Sequence, residues 1–150
     1  AVLCFEGAFH GRTLLTLSLT SKTSTYKRGF GPFCSDVFRI PFPYCYRCPV
    51  GLERSTCAVD CTGLLDRAIE GHVDAQSLAA VVIEPVLGEG GFVPCPAEFM
   101  QAVRAFCDRT GAVMIVDEVQ TGFGRTGTTF AIEQASRASS SSRSRHRAAW

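Results

Sequence analysis

Two short apolar runs, residues 78–83 and 112–116, constrain the fold of this chain more than any other feature. Uninterrupted apolar runs of this length are typical of strands that are buried on both faces of a parallel sheet. Residues 96–110 place their large apolar side chains on one stripe of a helix, and Gly111 follows where a C-terminal cap is expected. The stripe consists of Phe99, Met100, Val103, Phe106 and Cys107. Strand, helix and strand within about 40 residues predict a βαβ unit, which implies a parallel sheet with a right-handed crossover.

The chain before this unit divides into two regions of different character. Residues 1–38 begin with an apolar run over residues 1–5, which predicts a buried strand, and continue through a glycine-bounded turn into a predicted helix over residues 13–20. Residues 41–62 are dense in Pro, Cys and aromatic side chains and predict an irregular segment.

Composition limits the classes of protein to which the chain can belong. Its 150 residues, 46% hydrophobic and 19% charged, are typical of one globular domain or a large part of one. The only methionines are Met100 and Met114, and nothing precedes the opening strand, so we expect an interior piece of a longer protein. No secretory segment is evident at the start, so the eight cysteines indicate a reducing compartment, the cytoplasm or, in a eukaryote, the mitochondrion.

The distribution of charge and hydropathy argues against two kinds of partner. The net charge is +1, but every acidic residue lies at or before Glu133, so the basic excess belongs to the end of the chain. The body therefore gives no electrostatic reason to expect nucleic acid. No apolar run approaches the roughly 20 residues of a membrane-spanning helix, so no membrane partner is expected.

The last segment, residues 135–150, differs in composition from everything before it. It is rich in Ser and Arg and has no hydrophobic periodicity, so we expect it to be disordered. It is either an arginine-serine tail that binds RNA or a partner, or an out-of-frame end joined to a normal domain. The second interpretation is favoured, because low-complexity composition alone is weak evidence of function. Residues 1–134 are then a partial domain.

Two acidic residues follow the two apolar runs directly. Glu84 comes after the first run and Asp117 after the second, and ligands of open α/β sheets bind beyond the carboxyl ends of the strands. An anion there needs a cation or hydrogen-bond donors. The partner of Asp117 is either the protonated ring nitrogen of a pyridine cofactor or nearby backbone amides.

Glycine-rich stretches and one aromatic-basic motif complete the candidate site. Residues 88–91 and 122–127 are glycine-rich, but no lysine follows their glycines as in a phosphate-binding loop, so they predict turns. Phe9 could stack on a flat cofactor and Arg12 could hold a carboxylate, although a core phenylalanine and a surface arginine explain the same residues.

Three sequence blocks occur together in one order: Phe9-His10-Gly11-Arg12-Thr13, then Ile83-Glu84-Pro85-Val86 with Gly88-Glu89-Gly90-Gly91, then residues 117–127, Asp-Glu-Val-Gln-Thr-Gly-Phe-Gly-Arg-Thr-Gly. The combination resembles the class III, or omega, aminotransferases of fold type I, and within them the 4-aminobutyrate aminotransferases. The resemblance covers residues 3–134. It implies part of an α/β large domain, with a parallel-rich sheet flanked by helices, truncated at both ends.

The resemblance implies a cofactor, pyridoxal 5'-phosphate (PLP), and a role for each matched residue. Asp117 would pair with the pyridinium nitrogen, Phe9 and Val119 would contact the two faces of the ring, and Gln120 would bond the phenolic oxygen. Arg12 would bind the carboxylate of an omega-amino acid with Glu84 as its charge partner, Glu89 would pair with a downstream arginine, and His10 would be supporting structure.

The resemblance also implies a reaction and a missing catalytic group. The reaction moves an amino group from an omega-amino acid donor such as 4-aminobutyrate to a 2-oxo acid acceptor such as 2-oxoglutarate, in a homodimer. The family's Schiff-base lysine follows the Asp-Glu-Val-Gln block by a few tens of residues, and the only lysines here are Lys22 and Lys27. We therefore expect no catalytic lysine in this chain and no transamination by the chain alone.

A rival hypothesis rests on the cysteine spacing. Cys45 and Cys48 are followed by Cys57 and Cys61, a pattern that could place four thiolates around zinc. This hypothesis predicts a non-catalytic module that binds zinc or a partner. One or two disulfides, or free thiols in a loop, explain the same spacing.

Overall fold

The computed structural model describes residues 1–140, with side-chain surroundings up to Ser136. Its strands are β1 (Val2–Phe5), β2 (Val37–Ile40), β3 (Ala80–Ile83), β4 (Val86–Leu87), β5 (Val93–Pro94) and β6 (Val113–Val116). Its α-helices are α1 (Leu14–Leu19), α2 (Gly63–Gly71), α3 (Ala97–Thr110) and α4 (Ile132–Ser140). Short π- or 3-10 turns occupy Thr23–Lys27, Cys45–Arg47, Asp60–Thr62 and Ala75–Ser77.

The main sheet has four strands in the order β2-β1-β3-β6, and all three pairings are parallel. Helix α3 connects β3 to β6, so the predicted βαβ unit is confirmed, and with it the α/β fold class. Gly111 ends α3 with a φ of 78°, a left-handed conformation that glycine adopts without steric cost. Strands β4 and β5 form a separate antiparallel hairpin beyond β3.

Alternate residues of the sheet pack on its two faces. Leu3, Phe5, Val81 and Ile83 face a large core that includes α2 and α3, whose fully buried members include Phe99, Val103 and Phe106. Cys4 and Val82 face the other way and pack with Leu19 of α1 in a smaller cluster. The sheet is therefore covered on one face by α2 and α3, of nine and 14 residues, and on the other by the six-residue α1.

The prediction that β6 is buried on both faces is wrong. Met114 and Val116 pack against the large core, but Val113 and Ile115 are 61% and 46% exposed. The reason is the position of the strand: β6 is at the edge of the sheet, and α1 covers residues of β1 and β3 rather than of β6.

Helix α4 crosses the predicted boundary between residues 134 and 135. Ala135 is buried in the large core, and its carbonyl accepts a hydrogen bond of 2.8 Å from Gln101 Nε2. The folded body thus extends past Gln134, while residues 141–150 of the predicted tail lie outside the described residues. None of the helices in residues 1–140 is long and apolar enough to cross a membrane.

Candidate functional site

Three loops meet at the carboxyl edge of the sheet because β1, β3 and β6 run parallel. They are the turn after β1, the segment between β3 and β5, and the segment between β6 and α4. Hydrogen bonds join the first loop to each of the others: Phe9 N donates to Glu84 and His10 contacts Asp117. The three motif blocks of the sequence are therefore brought together in space.

Asp117 begins the loop after β6 and is partly open to solvent, with its side chain 19% exposed. Its Oδ2 lies 2.7 Å from His10 Nδ1, and its Oδ1 accepts a 3.2 Å hydrogen bond from Val119 N. The His10 hydrogen bond lowers the pKa of Asp117 below its ordinary 3.8, against the opposing effect of partial burial and with help from the Val119 N–H. The group is thus an anion at neutral pH, which is the form that pairs with a protonated ring nitrogen.

His10 has a closer connection to the site than sequence reasoning gave it. Its side chain is only 3% exposed, and its backbone N–H donates a 3.0 Å hydrogen bond to Thr20 Oγ1 at the end of α1. Because Nδ1 donates to the Asp117 carboxylate, the ring is fixed in one orientation. Its other nitrogen, Nε2, is buried without a hydrogen-bond partner. The available sequence signal was a histidine in the turn after β1, at the same sheet edge as Asp117.

Glu84 is buried and serves as a clamp between two loops. Its Oε1 accepts a 2.8 Å hydrogen bond from Phe9 N, and its Oε2 accepts one of 2.8 Å from Gly88 N. Burial raises the pKa of Glu84, while these two N–H groups act in the opposite direction. The expected ion pair with Arg12 is not formed, since both oxygens already accept backbone hydrogen bonds and Arg12 lies elsewhere.

Tyr26 links three of the predicted site residues and was missed by sequence reasoning. The guanidinium carbon of Arg12 lies 5.4 Å from the centre of the Tyr26 ring, and the Phe9 ring lies 4.9 Å from it in an edge-on arrangement. The Tyr26 hydroxyl donates a 2.6 Å hydrogen bond to Glu89 Oε2, which raises the pKa of the tyrosine. No motif marks this residue, because it lies in the irregular turn Thr23–Lys27 far from Glu89 in sequence.

Val119 and Gln120 lie in the loop after β6. Val119 is 91% exposed although it is apolar. Gln120 lies against the backbone of Gly88, where an added Cβ would collide with its side-chain amide. Glycine at position 88 therefore permits the close approach of the second and third loops.

Glu118, next to Asp117, has a structural role that the sequence did not reveal. Its carboxylate accepts hydrogen bonds from Ala131 N at 3.0 Å, Ile132 N at 2.8 Å and the Thr121 hydroxyl. The first two donors belong to the start of α4, whose unpaired N–H groups favour an anion. Glu118 thus fixes the loop after β6 to the next helix.

The four cysteines of the rival hypothesis line one cavity at some distance in sequence from these loops. All are free thiols. No three Cys, His, Asp or Glu side chains within the described part of the chain are already arranged to hold a metal ion. The structure therefore does not support the zinc hypothesis, because the described residues contain no ligand set for a metal ion.

Comparison with known proteins identifies the family. The model of the family "Aminotransferase class-III" matches residues 1–139. The chain belongs to this family. The fold and the predicted resemblance to class III aminotransferases agree with that match.

Several curated relatives are named as 4-aminobutyrate or 5-aminovalerate aminotransferases. The chain is 46% identical over 132 residues to a probable 4-aminobutyrate aminotransferase of Bacillus subtilis, with 88% of this chain and 30% of that protein covered. It is 48% identical over 137 residues to the 4-aminobutyrate aminotransferase of Mycobacterium leprae, with 89% and 30% covered. It is 43% identical to the 5-aminovalerate aminotransferase of Pseudomonas putida, with 89% and 30% covered. The chain thus spans about 30% of the length of these relatives.

Solved transaminase structures share the fold. An amine transaminase from an uncultivated Pseudomonas species, in its PLP-bound form, superposes with a TM-score of 0.82 at 31% identity, over 90% of this chain and 30% of that one. An (S)-enantioselective omega-transaminase from Thermomicrobium roseum gives a TM-score of 0.81 at 36% identity, with 90% and 30% covered. The four-stranded parallel sheet and its helices therefore correspond to part of a transaminase.

Proposed function

We propose that a protein containing this chain is a PLP-dependent aminotransferase for omega-amino acids of the 4-aminobutyrate type. The acceptor would be a 2-oxo acid such as 2-oxoglutarate, and the active protein would be a homodimer. The observation that carries the proposal is the Asp117 carboxylate, held as an anion by His10 at the carboxyl edge of the sheet. The names of the relatives support the choice of donor.

The residues at this edge fit PLP in chemical character. A partly open anion, Asp117, lies two residues from an apolar side chain, Val119, that is almost wholly exposed. The cationic nitrogen of a flat ring would pair with the Asp117 carboxylate, and the ring itself would cover the Val119 side chain. Phe9 would contact the opposite ring face and Gln120 would bond the phenolic oxygen. When bound, PLP supplies an electron sink for the amino acid.

The remaining residues position these groups and the substrate. His10 orients Asp117 and keeps its pKa low. Glu84 accepts hydrogen bonds from Phe9 N in the turn after β1 and from Gly88 N in the segment between β3 and β5. These two bonds hold the two loops at a fixed separation. Arg12 would bind the substrate carboxylate, with Tyr26 beneath its guanidinium, and Glu89 would form the far side of the pocket.

Neither lysine of the chain is proposed as the covalent anchor of PLP. Lys27 is buried, and its Nζ donates a 3.0 Å hydrogen bond to the Ser18 carbonyl. Burial lowers the pKa of Lys27, and nearby Arg39 acts in the same direction. Lys22 Nζ donates to the backbone carbonyl of Glu89. We therefore propose that the chain by itself binds PLP without a covalent bond and does not transaminate. We also propose that the folded body, which includes α4, is part of a large domain.

Titration of the 150-residue chain with PLP tests this proposal. Wild type should bind PLP at least about tenfold more tightly than Asp117→Asn, since one charge-assisted bond is lost. Asp108→Asn is the matched control, because Asp108 pairs with Arg104 on the exposed surface of α3. Equal PLP affinity in wild type and Asp117→Asn would reject the assigned role of Asp117.

An activity assay compares the 150-residue chain with the complete protein that contains it. With PLP, 4-aminobutyrate and 2-oxoglutarate, the 150-residue chain should form no glutamate above the rate of free PLP. The product of the complete gene, established by sequencing the transcript beyond the codon for Gln134, should form glutamate. Inactivity of that complete product with 4-aminobutyrate and 5-aminovalerate would reject the proposed donor class.

A further inference from the structure

An exposed arginine and an exposed glutamate contact one tyrosine without pairing with each other. The guanidinium carbon of Arg12 lies 5.4 Å from the centre of the Tyr26 ring. Glu89 Oε2 accepts a 2.6 Å hydrogen bond from the hydroxyl of the same tyrosine. Among the residues whose side chains the structure describes, Arg12 forms no ion pair with any acid. Opposite charges this close to one another ordinarily attract, so the arrangement needs an explanation.

We propose that Tyr26 is a positioning residue, which holds the Glu89 carboxylate away from Arg12 and so keeps Arg12 free for a substrate carboxylate. The part that concerns the substrate rests on the function proposed above. The part that concerns the separation of the two charges does not depend on it. Without the hydroxyl, Glu89 would be free to pair with Arg12, and this pair would compete with the substrate.

The Tyr26 ring is held in place by its neighbours. The Phe9 ring packs edge-on against it, with 4.9 Å between the ring centres. The backbone of Phe9 is in turn fixed by its 2.8 Å hydrogen bond to Glu84. The backbone N–H of Tyr26 donates a 3.0 Å hydrogen bond to the Lys22 carbonyl. A ring held in this way can offer its face to a guanidinium and its hydroxyl to a carboxylate at the same time.

Glu89 is attached to the segment that carries Tyr26 at two points. Lys22 Nζ donates to the backbone carbonyl of Glu89, and the Tyr26 hydroxyl donates to its carboxylate. The first bond fixes the position of the residue, and the second fixes the direction of its side chain. The bond to Glu89 raises the pKa of Tyr26, while the charge of Arg12 acts in the opposite direction. The phenol therefore remains a neutral donor between an anion and a cation at neutral pH.

One hydrogen bond is enough to decide the partner of an exposed carboxylate. An ion pair between exposed side chains gains little, because water screens both charges and two flexible side chains must be ordered. A hydrogen bond from a fixed phenol to a carboxylate is charge-assisted, and its donor is already in place. The Tyr26 hydroxyl can therefore hold Glu89 in preference to Arg12. A substrate carboxylate can then bind both arms of the free guanidinium.

Chemical modification of arginine in the 150-residue chain tests the separation. Phenylglyoxal attacks a guanidine that has lost its proton, so an ion pair with a carboxylate slows the reaction. Arg12 should react about threefold more slowly in Tyr26→Phe than in wild type, because Glu89 then pairs with it. The wild-type rate should return in Tyr26→Phe/Glu89→Gln, which lacks the competing charge. Mass spectrometry of peptides gives the rate at each arginine.

Two controls accompany this measurement. Tyr46→Phe removes the hydroxyl of a tyrosine that is 83% exposed, and it should leave the Arg12 rate unchanged. Arg104, which is paired with Asp108, should react at one rate in every folded variant. An unchanged Arg12 rate in Tyr26→Phe, or a slow rate that persists in the double variant, would overturn the proposal.

Glu89→Gln alone covers the case in which Tyr26→Phe fails to fold. In wild type Glu89 is held by the tyrosine, so removing its charge should leave the Arg12 rate nearly unchanged. A clear rise in that rate would show that Glu89 already pairs with Arg12, which would also overturn the proposal.

Steady-state kinetics of the complete protein test the part that concerns the substrate. Tyr26→Phe should raise KM for 4-aminobutyrate about threefold with little change in kcat, because Arg12 binds the carboxylate and not the reacting amine. In a Glu89→Gln background the same substitution should leave KM unchanged. An equal rise in both backgrounds would overturn the proposed role of Glu89. If the wild-type protein is inactive, the proposed function fails, while the Arg12 modification rates still decide whether Tyr26 separates the charges.

Discussion

Strands β3 and β6 have similar sequences but different surroundings. Each is a run of apolar residues followed at once by an acidic residue, and they pair in parallel along their whole length. All four residues of β3 are buried, whereas Val113 and Ile115 of β6 are exposed. An apolar run therefore predicts a strand, but the number of covered faces depends on helices elsewhere in the chain.

The acidic residues after the two strands differ in the same way. Glu84 follows the central strand and accepts two backbone hydrogen bonds in the interior. Asp117 follows the edge strand, remains partly exposed and has a histidine as its partner. Equivalent positions on neighbouring strands thus give a structural clamp in one case and an accessible anion in the other.

Of the three comparisons, truncating one isoleucine in each strand should give the largest difference in the free energy of unfolding. Ile83→Ala should lower the free energy of unfolding by about 2–5 kcal/mol, because Ile83 is fully buried in the large core. Ile115→Ala should lower it by less than about 1 kcal/mol, because nearly half of that side chain is already in solvent. Urea unfolding of the two variants measures both values. Equal losses would mean that the exposed face of β6 is covered in solution.

The sequence was sufficient for the elements whose pattern is local. The periodicity of α3, its glycine cap and the flanking apolar runs predicted the βαβ unit, and the structure confirms it. Strand β2 was missed because Val37-Phe38-Arg39-Ile40 is short and is interrupted by a charged residue. Arg39 is tolerated there because its side chain donates to the carbonyls of Ser18 and Thr20, a contact that depends on tertiary structure.

Replacing each of the two acids by its amide should also lower the free energy of unfolding by different amounts. This difference should be smaller than the one between the two isoleucine variants. Glu84→Gln should cost about 1–3 kcal/mol, because the amide of Gln can accept from only one of the two N–H groups and leaves the other unsatisfied. Asp117→Asn should cost less, because Asp117 is partly exposed and Asn can still accept from Val119 N. Glu98→Gln, on the exposed side of α3, is the control. Unfolding midpoints in urea decide the order, and a larger loss for Asp117→Asn than for Glu84→Gln would contradict it.

The contributions of the two acids to stability should change in opposite directions with pH. We expect this to be the smallest of the three differences. Because the pKa of Asp117 is lowered in the folded chain, its contribution to stability is present above its ordinary pKa of 3.8 and is lost as the pH falls through the lowered value. Because the pKa of Glu84 is raised, its protonation adds stability below its ordinary 4.5, and this is lost as the pH rises through the raised value.

Melting temperatures measured from neutral pH down to below pH 3.8 test these signs. The advantage of wild type over Asp117→Asn should shrink on acidification, while the advantage of wild type over Glu84→Gln should grow. The same trend in both comparisons would show that the two carboxyl groups do not differ as described.

The site was only partly predictable for the same reason as the sheet. Position at a strand end selected Glu84 and Asp117 as candidates, and the motif order selected Phe9, Arg12, Val119, Gln120 and Glu89, whose roles stay predictions. Their partners were not identified, because Tyr26 and Glu89 are 63 positions apart and His10 and Asp117 are 107 apart. Contacts over such separations depend on how loops of irregular length close, which periodicity does not describe.

The Glu118 contacts set a lower limit on how short a fragment can be while keeping its acidic loop in place. A version that stops before Ala131 would remove two of the three donors to the Glu118 carboxylate. Released from α4, Glu118 would be free to turn into solvent, and the backbone of neighbouring Asp117 would lose its anchor on that side. Anyone trimming the chain for spectroscopy or for fusion to another protein should therefore place the cut after α4, because the geometry around Asp117 is completed by residues more than ten positions downstream.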